Sequence, residues 1–76
     1  MKVNELDRIV LTTDLPEHGL KAGDIGTAVL VHGAHEGYEV EFISLHGETI
    51  AVVSLASDQV RVIGHNEIAH ARPLAG

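Results

Sequence analysis

The clearest structural signal in the chain is Tyr38-Glu39-Val40-Glu41-Phe42. Apolar side chains alternate there with carboxylates, and a period of two residues is that of a strand with one buried and one solvated face. The segment therefore predicts a strand whose apolar side chains face a core and whose glutamates face water.

Four further strands are predicted from β-branched, apolar runs that are bounded by turn residues. They cover residues 8–13, 25–31, 48–53 and 60–63. Alternation in the second of these runs predicts that Ile25, Thr27, Val29 and Val31 share one face. A tight two-residue turn is predicted at His46-Gly47, because glycine supplies the positive φ that such a hairpin needs.

The elements follow the order strand, long irregular loop, strand, short loop, strand, tight turn, strand, 3₁₀ turn, strand. A slip in the alternation at residues 43–45 predicts a bulge, and residues 56–59 predict the 3₁₀ turn. This order is typical of an SH3-like barrel, and near-closure protects the edges of a small sheet. We therefore predict an all-β fold, a small five-stranded SH3-like barrel, with an OB-fold ranked second. Its predicted core contains Val10, Ile25, Val29, Val40, Phe42, Ile50, Val52, Leu55 and Val60.

The length of 76 residues allows one domain and excludes an enzyme with a cleft between two domains. We assign residues 1–63 to the barrel domain and residues 64–76 to a C-terminal tail, either a short helix or disordered. The chain has no cysteine, so disulfides and thiolate chemistry are excluded. Without a basic leader or a run of 18 apolar residues, it is expected to be cytoplasmic and to avoid membranes.

Two segments carry a resemblance to a known family. They are Gly23-Asp24-Ile25-Gly26-Thr27 and the strand that begins at Tyr38, followed by Gly47 with Thr49 and by Leu55. Over about residues 6–63 the chain resembles the bacterial domain-of-unknown-function family 4926. The resemblance implies a small SH3-like barrel and no established activity.

The first of these segments also resembles the start of the KOW modules of ribosomal and transcription-factor proteins, whose loops contact RNA. A KOW-like nucleic-acid-binding module is therefore the alternative function. Eleven acidic against five basic residues give a net charge of -6, however, and a chain that repels phosphate is a poor binder of nucleic acid. We expect no nucleic-acid partner.

Candidate metal and catalytic groups are interpreted as structural or solvated residues, so we expect no enzyme activity, no cofactor and no metal site. His32 with His35, and Glu67 with His70, supply two ligands each where a zinc site needs three or four. Ser44, His46 and Glu48 lack an oxyanion hole. Gly23 and Gly26 lack the helix N-terminus or basic residue of a phosphate site; close backbone approach explains Gly26.

The remaining candidate is a set of loop residues that the barrel topology would gather around one groove. The predicted partner-binding residues are Asp14, Glu17, Glu36, Tyr38 and Asp58. Their carboxylates would attract a partner protein with a basic or neutral surface, mainly through the association rate. We therefore predict a non-enzymatic protein-interaction module; its size and acidity fit an accessory subunit or an antitoxin- or immunity-like partner of a larger protein.

Overall fold

The computed structural model describes residues 2–74, which form one antiparallel sheet of five strands and no α-helix. The strands are β1 (Arg8–Leu11), β2 (Ile25–His32), β3 (Gly37–Ile43), β4 (Thr49–Ala56) and β5 (Val60–Val62). Their order across the sheet is β4-β3-β2-β1-β5. The prediction of five strands in an all-β fold is confirmed. Within the same residues, no helix has the length and apolar character to span a bilayer.

The strand β2 is shared between the two halves of the sheet. Its first residues pair with β1, through Val10 and Ile25, and the remainder pairs with β3 as far as His32 and Gly37. The register shifts between Ala28 and Leu30, where a bulge lets one strand serve both partners.

The core is filled from all five strands and from the first loop. Phe42, Ile9, Leu11 and Val40 are its largest fully buried side chains. Opposite them, β2 presents small residues, since a Cβ on Gly26 would lie 2.6 Å from Val40 Cγ1 and 2.9 Å from Phe42 Cε1. The close approach predicted at Gly26 is therefore present, and it is made mainly by side chains of β3.

Two parts of the predicted core are wrong. In β2 the residues that face the core are Gly26 and Ala28, while Ile25 and Val29 are only half-buried. The large side chains of β3 occupy the space, so alternation of bulky residues in β2 indicated the wrong face. Val52 is 55% exposed, because it is the register partner of Glu41 on the outer face of β3.

The loop between β1 and β2 is more regular than predicted. A 3₁₀ turn at Pro16–His18 is closed by a bridge between Leu15 and Leu20, and both leucines are buried. This loop therefore adds two side chains to the core. Val3, ahead of β1, adds a third that the polar N-terminal sequence did not indicate.

Residues 44–48 connect β3 to β4, and a hydrogen bond between Ser44 and Glu48 leaves three residues in the turn instead of the predicted two. Ser44 N donates to Glu48 O at 2.8 Å, and Gly47 within the loop adopts φ of 88°. The positive φ of Gly47 is confirmed, as is a bulge at this end of β3, where the register shifts between Phe42 and Ile43. The 3₁₀ turn before β5 lies at Ser57–Gln59.

The tail forms no helix between residues 64 and 74. Its two ion pairs join Glu67 to Arg61 and Arg72 to Asp24. A chain without helix structure that is held at two points satisfies these charges, whereas a free helix of this length would be marginal. The last two residues of the predicted tail, 75 and 76, lie outside the described residues.

Candidate functional site

The outer face of the β1–β5 pair is apolar at its centre. Ile9 and Leu11 belong to the core cluster, so Val10 between them points to the opposite face. Its register partners are Ile25 of β2 and Arg61 of β5, which share that outer face. Val10 is nevertheless only 6% exposed. Something other than the core therefore covers it.

The C-terminal tail lies over this face. Residues 67–72 of the tail line the same groove as Val10, together with the side chains of β1, β2 and β5. The groove has a volume of about 950 Å³. Its apolar side chains include Val10, Ile25, Ile43, Leu45, Ile63 and Ile68. A strip of apolar sheet surface thus lies beneath a segment that has no secondary structure of its own.

The near end of the tail is fixed by Glu67. Arg61 Nη1 and Nη2 donate to its two carboxylate oxygens at 2.8 and 2.6 Å, a paired geometry that strengthens a charge-assisted contact. The backbone N–H of Gly64 donates to Glu67 Oε1 at 2.6 Å. Together, the hydrogen bonds from Arg61 and from Gly64 lower the pKa of Glu67 to about 2.

The far end of the tail is fixed by Arg72. Its Nε donates to Asp24 Oδ1 at 2.8 Å, its Nη2 donates to Asp24 Oδ2, and the same Nη2 donates to the carbonyl oxygen of Gly19 at 3.1 Å. The side chains of Arg72 and Asp24 are 27% and 18% exposed, the lowest values for an ion pair between residues 2 and 74. This contact is the best shielded from solvent of the two that hold the tail.

Asp24 is positioned by the turn that precedes β2. Gly23 takes φ of 98°, and the backbone N–H of Lys21 donates to Asp24 Oδ2 at 2.8 Å. Partial burial raises the pKa of Asp24, but the hydrogen bonds from Arg72 and Lys21 and the charge of Arg72 outweigh it, so the pKa lies below its usual value. The carboxylate therefore stays ionised and ready to receive a cation.

The predicted partner-binding carboxylates occupy different places. Asp14 lines a smaller adjoining pocket of about 500 Å³, where its Oδ1 accepts the N–H of Ala22 at 2.9 Å. Glu17 is exposed on the first 3₁₀ turn. Glu36 directly precedes Gly37, and Gly37 is the register partner of Ala56. The 3₁₀ turn that carries Asp58 begins directly after Ala56. Of the four, Asp14 alone lines one of the two pockets described here.

Tyr38 does not belong to a surface site. It is 3% exposed and part of the core cluster, opposite Leu55 on the inner face of β4. Its assignment as a partner-binding residue is therefore corrected: the same alternation that buries Val40 and Phe42 buries Tyr38 two residues earlier.

The histidine and serine candidates make local contacts. His32 Nε2 lies 2.7 Å from Glu39 Oε2, and Ser54 Oγ donates to the same oxygen at 2.6 Å. The hydrogen bonds from Ser54 and His32 lower the pKa of Glu39. Ser44 Oγ accepts the N–H of Glu48 within the hairpin loop. Across residues 2–74 no group of three or more histidine or carboxylate side chains is placed to hold a metal ion.

The side chains that hold the tail were not singled out as a site from the sequence. In the sequence, Asp24 is only part of the Gly23–Thr27 segment, Glu67 is weighed only as a metal ligand with His70, and Arg72 is one residue of the predicted tail. Arg72 and Asp24 are 48 residues apart in the chain, and no local pattern joins them. One available signal lies in the basic residues. The chain has only five of them, and three, Arg8, Arg61 and Arg72, line the groove.

Comparison with known proteins agrees with the motifs around Gly23 and Tyr38. The model of a family described as Domain of unknown function (DUF4926) matches residues 5–62. The chain belongs to this family. In this DUF4926 protein, Val10, Asp24 and Arg61 lie within the matched region, whereas Glu67 and Arg72 lie beyond it. No curated protein and no solved structure gave a significant match to the chain.

Proposed function

We propose that the five strands form an SH3-like barrel. The sheet order β4-β3-β2-β1-β5 supports this proposal, as does the division of β2 between two partners at a bulge. A 3₁₀ turn between β4 and β5 is a further feature of that architecture. Packing two half-sheets around Phe42 would explain why β2 presents only small residues there.

We propose that the protein is a cytoplasmic, non-enzymatic protein-interaction module that binds an extended segment of another protein. The groove between the sheet and the tail carries this proposal. It combines an apolar floor around Val10 with the ionised carboxylate of Asp24, and a segment without helix or strand structure already lies along it. Apolar area supplies affinity for such a segment, and one charged contact fixes its register.

The charge of the molecule favours a protein over a nucleic acid as the partner. The net charge is -6, and two of the three arginines that line the groove are neutralised by Glu67 and Asp24. Phosphate binding requires cations that are free to replace counterions. A partner with a basic or neutral surface is therefore preferred, which suits an accessory subunit or an antitoxin- or immunity-like protein, and the loop carboxylates Asp14, Glu17, Glu36 and Asp58 would speed its approach.

Two matched surface variants test this function. Ile63→Glu places a charge in the groove, while Val52→Glu places the same charge on the outer face of β4, away from the residues that line the groove; both positions are exposed, so both variants should fold. Each variant and the wild-type protein are used as bait in a native lysate of cells that express the protein.

We expect a protein that the wild type and Val52→Glu retain and that Ile63→Glu loses. Equal retention by all three baits would contradict the groove as the binding site. If none of the baits retained a protein above the level of an unrelated domain, the interaction role itself would be contradicted.

A further inference from the structure

We infer that the C-terminal tail is an intramolecular occupant of the groove, and that the partner is an extended segment in which an arginine lies among large apolar side chains and which displaces the tail. The inference rests on the proposed function and specifies its ligand. The tail provides the evidence, since it shows which chemistry the groove accepts.

The tail contacts the sheet as a bound peptide would, and not as a strand of the fold. No backbone-to-backbone hydrogen bond joins residues 64–74 to residues 2–63. The contacts are made by the side chains of Glu67 and Arg72, and the Gly64 N–H bond to Glu67 stays within the tail. Releasing the tail therefore breaks no strand pairing.

The tail also fills the groove incompletely. A volume of about 950 Å³ remains with the tail in place, and Ile68, one of the two large apolar side chains that the tail contributes to the groove, is 93% exposed. The tail residues between Ile68 and Arg72 include Ala69 and Ala71, whose methyl groups are too small to fill the space. A segment with larger side chains at these two places would bury more apolar area, and apolar burial contributes about 25 cal/mol per Å².

The far end of the groove is suited to arginine in particular. Asp24 offers two oxygens and Gly19 a carbonyl oxygen, and all three accept hydrogen bonds from the one guanidinium of Arg72. A planar group with several fixed donors matches this arrangement, whereas a lysine would reach it as a single point charge. The partner segment is accordingly expected to carry arginine and to bind more weakly when lysine replaces it.

Competition with the tail sets the conditions for binding. A tethered segment acts at an effective concentration of about millimolar, so a free segment of the same affinity would bind weakly to the intact protein. Weakening the tail at Arg72 should remove this competition without altering the groove. The apparent affinity for an added peptide should then increase.

The experiment uses full-length chains and one fluorescently labelled probe. The probe is a peptide with the sequence of residues 65–74 in which Ala69→Leu and Ala71→Leu supply the larger side chains. Binding is followed by fluorescence anisotropy for the wild type, for Arg72→Ala, and for the double variants Arg72→Ala/Asp24→Asn and Arg72→Ala/Glu5→Gln. The last is the matched control, because it changes a carboxylate to an amide away from the groove.

We expect Arg72→Ala to bind the probe at least about 10-fold more tightly than the wild type, since its tail competes less. Arg72→Ala/Glu5→Gln should bind like Arg72→Ala, and Arg72→Ala/Asp24→Asn should lose about 10-fold or more. A probe with Arg72→Lys should also bind more weakly. Equal affinity of the wild type and Arg72→Ala would overturn the tail as a competitor, and an unchanged affinity with Asp24→Asn would overturn the arginine contact.

A second measurement on the wild type keeps the inference testable if a variant fails to fold. Saturating the intact protein with the probe should displace the tail and increase the exchange of the tail's own Arg72 Nε–H, which donates to Asp24 Oδ1. Probe binding with unchanged protection of this Nε–H would overturn displacement. If the probe does not bind, but Ile63→Glu loses the protein that the wild type and Val52→Glu retain, this ligand is rejected and the proposed function stands.

Discussion

At the scale of single residues, the fold depends on space left beside β3. Gly26→Ala should destabilise the protein by about 1–3 kcal/mol, because the new methyl group would meet Val40 Cγ1 at 2.6 Å and Phe42 Cε1 at 2.9 Å. Chemical denaturation measures the change. In a Val40→Ala background the added cost of Gly26→Ala should be smaller, and strict additivity of the two substitutions would show that the close approach is not the cause.

Phe42→Ala should destabilise the protein by about 3–5 kcal/mol, since Phe42 is among the largest fully buried side chains. A domain of this length has a free energy of unfolding of about 4–11 kcal/mol, so most of it would be lost. Leu45→Ala is the control, because Leu45 is 90% exposed in the hairpin loop. Equal melting temperatures for these two variants would place Phe42 outside the core.

At the scale of elements, acid should detach the tail. Glu67 has its pKa lowered from about 4.5 to about 2, and that of Asp24 is also lowered, so both contacts are fully present above the ordinary carboxylate range. They weaken as the pH falls from about 4.5 towards about 2, because each carboxylate must then bind a proton and release its arginine. The amide chemical shift of Gly64 follows the ionisation of Glu67, because the Gly64 N–H donates to Glu67 Oε1. Glu67→Gln should abolish the titration of that amide between these pH values, and its persistence in this variant would show that another group is responsible.

The elements also differ in how far the sequence alone predicts them. Strands follow from local alternation, so β3 could be predicted from Val40 and Phe42 alone, and Gly47 indicated the hairpin. The inner face of β2 could not be predicted, because it depends on the bulge after Ala28 and on the size of side chains in β3. The contact between Arg72 and Asp24 could not be predicted from local sequence patterns either, because the two residues meet only after the sheet has formed.

At the scale of the whole molecule, the charge distribution predicts no specific binding of DNA or RNA. With a net charge of -6, and with Arg61 and Arg72 held in ion pairs, too few free cations remain to release counterions from phosphate. A gel-shift assay at about 150 mM salt measures this, because long-range attraction is screened there. Sub-micromolar affinity for any oligonucleotide would instead favour a KOW-like function.

The register between β1 and β5 also has a consequence for synthesis of the chain. Ile9 pairs with Val62, so one edge of β1 has no partner until residues 60–62 have left the ribosome. By then β2, β3 and β4, which are neighbours in sequence, can already pair through short connections. Nascent chains should therefore gain protease resistance late and abruptly, when β5 emerges, and the tail that follows can pair with Arg61 and Asp24 only after the sheet is complete.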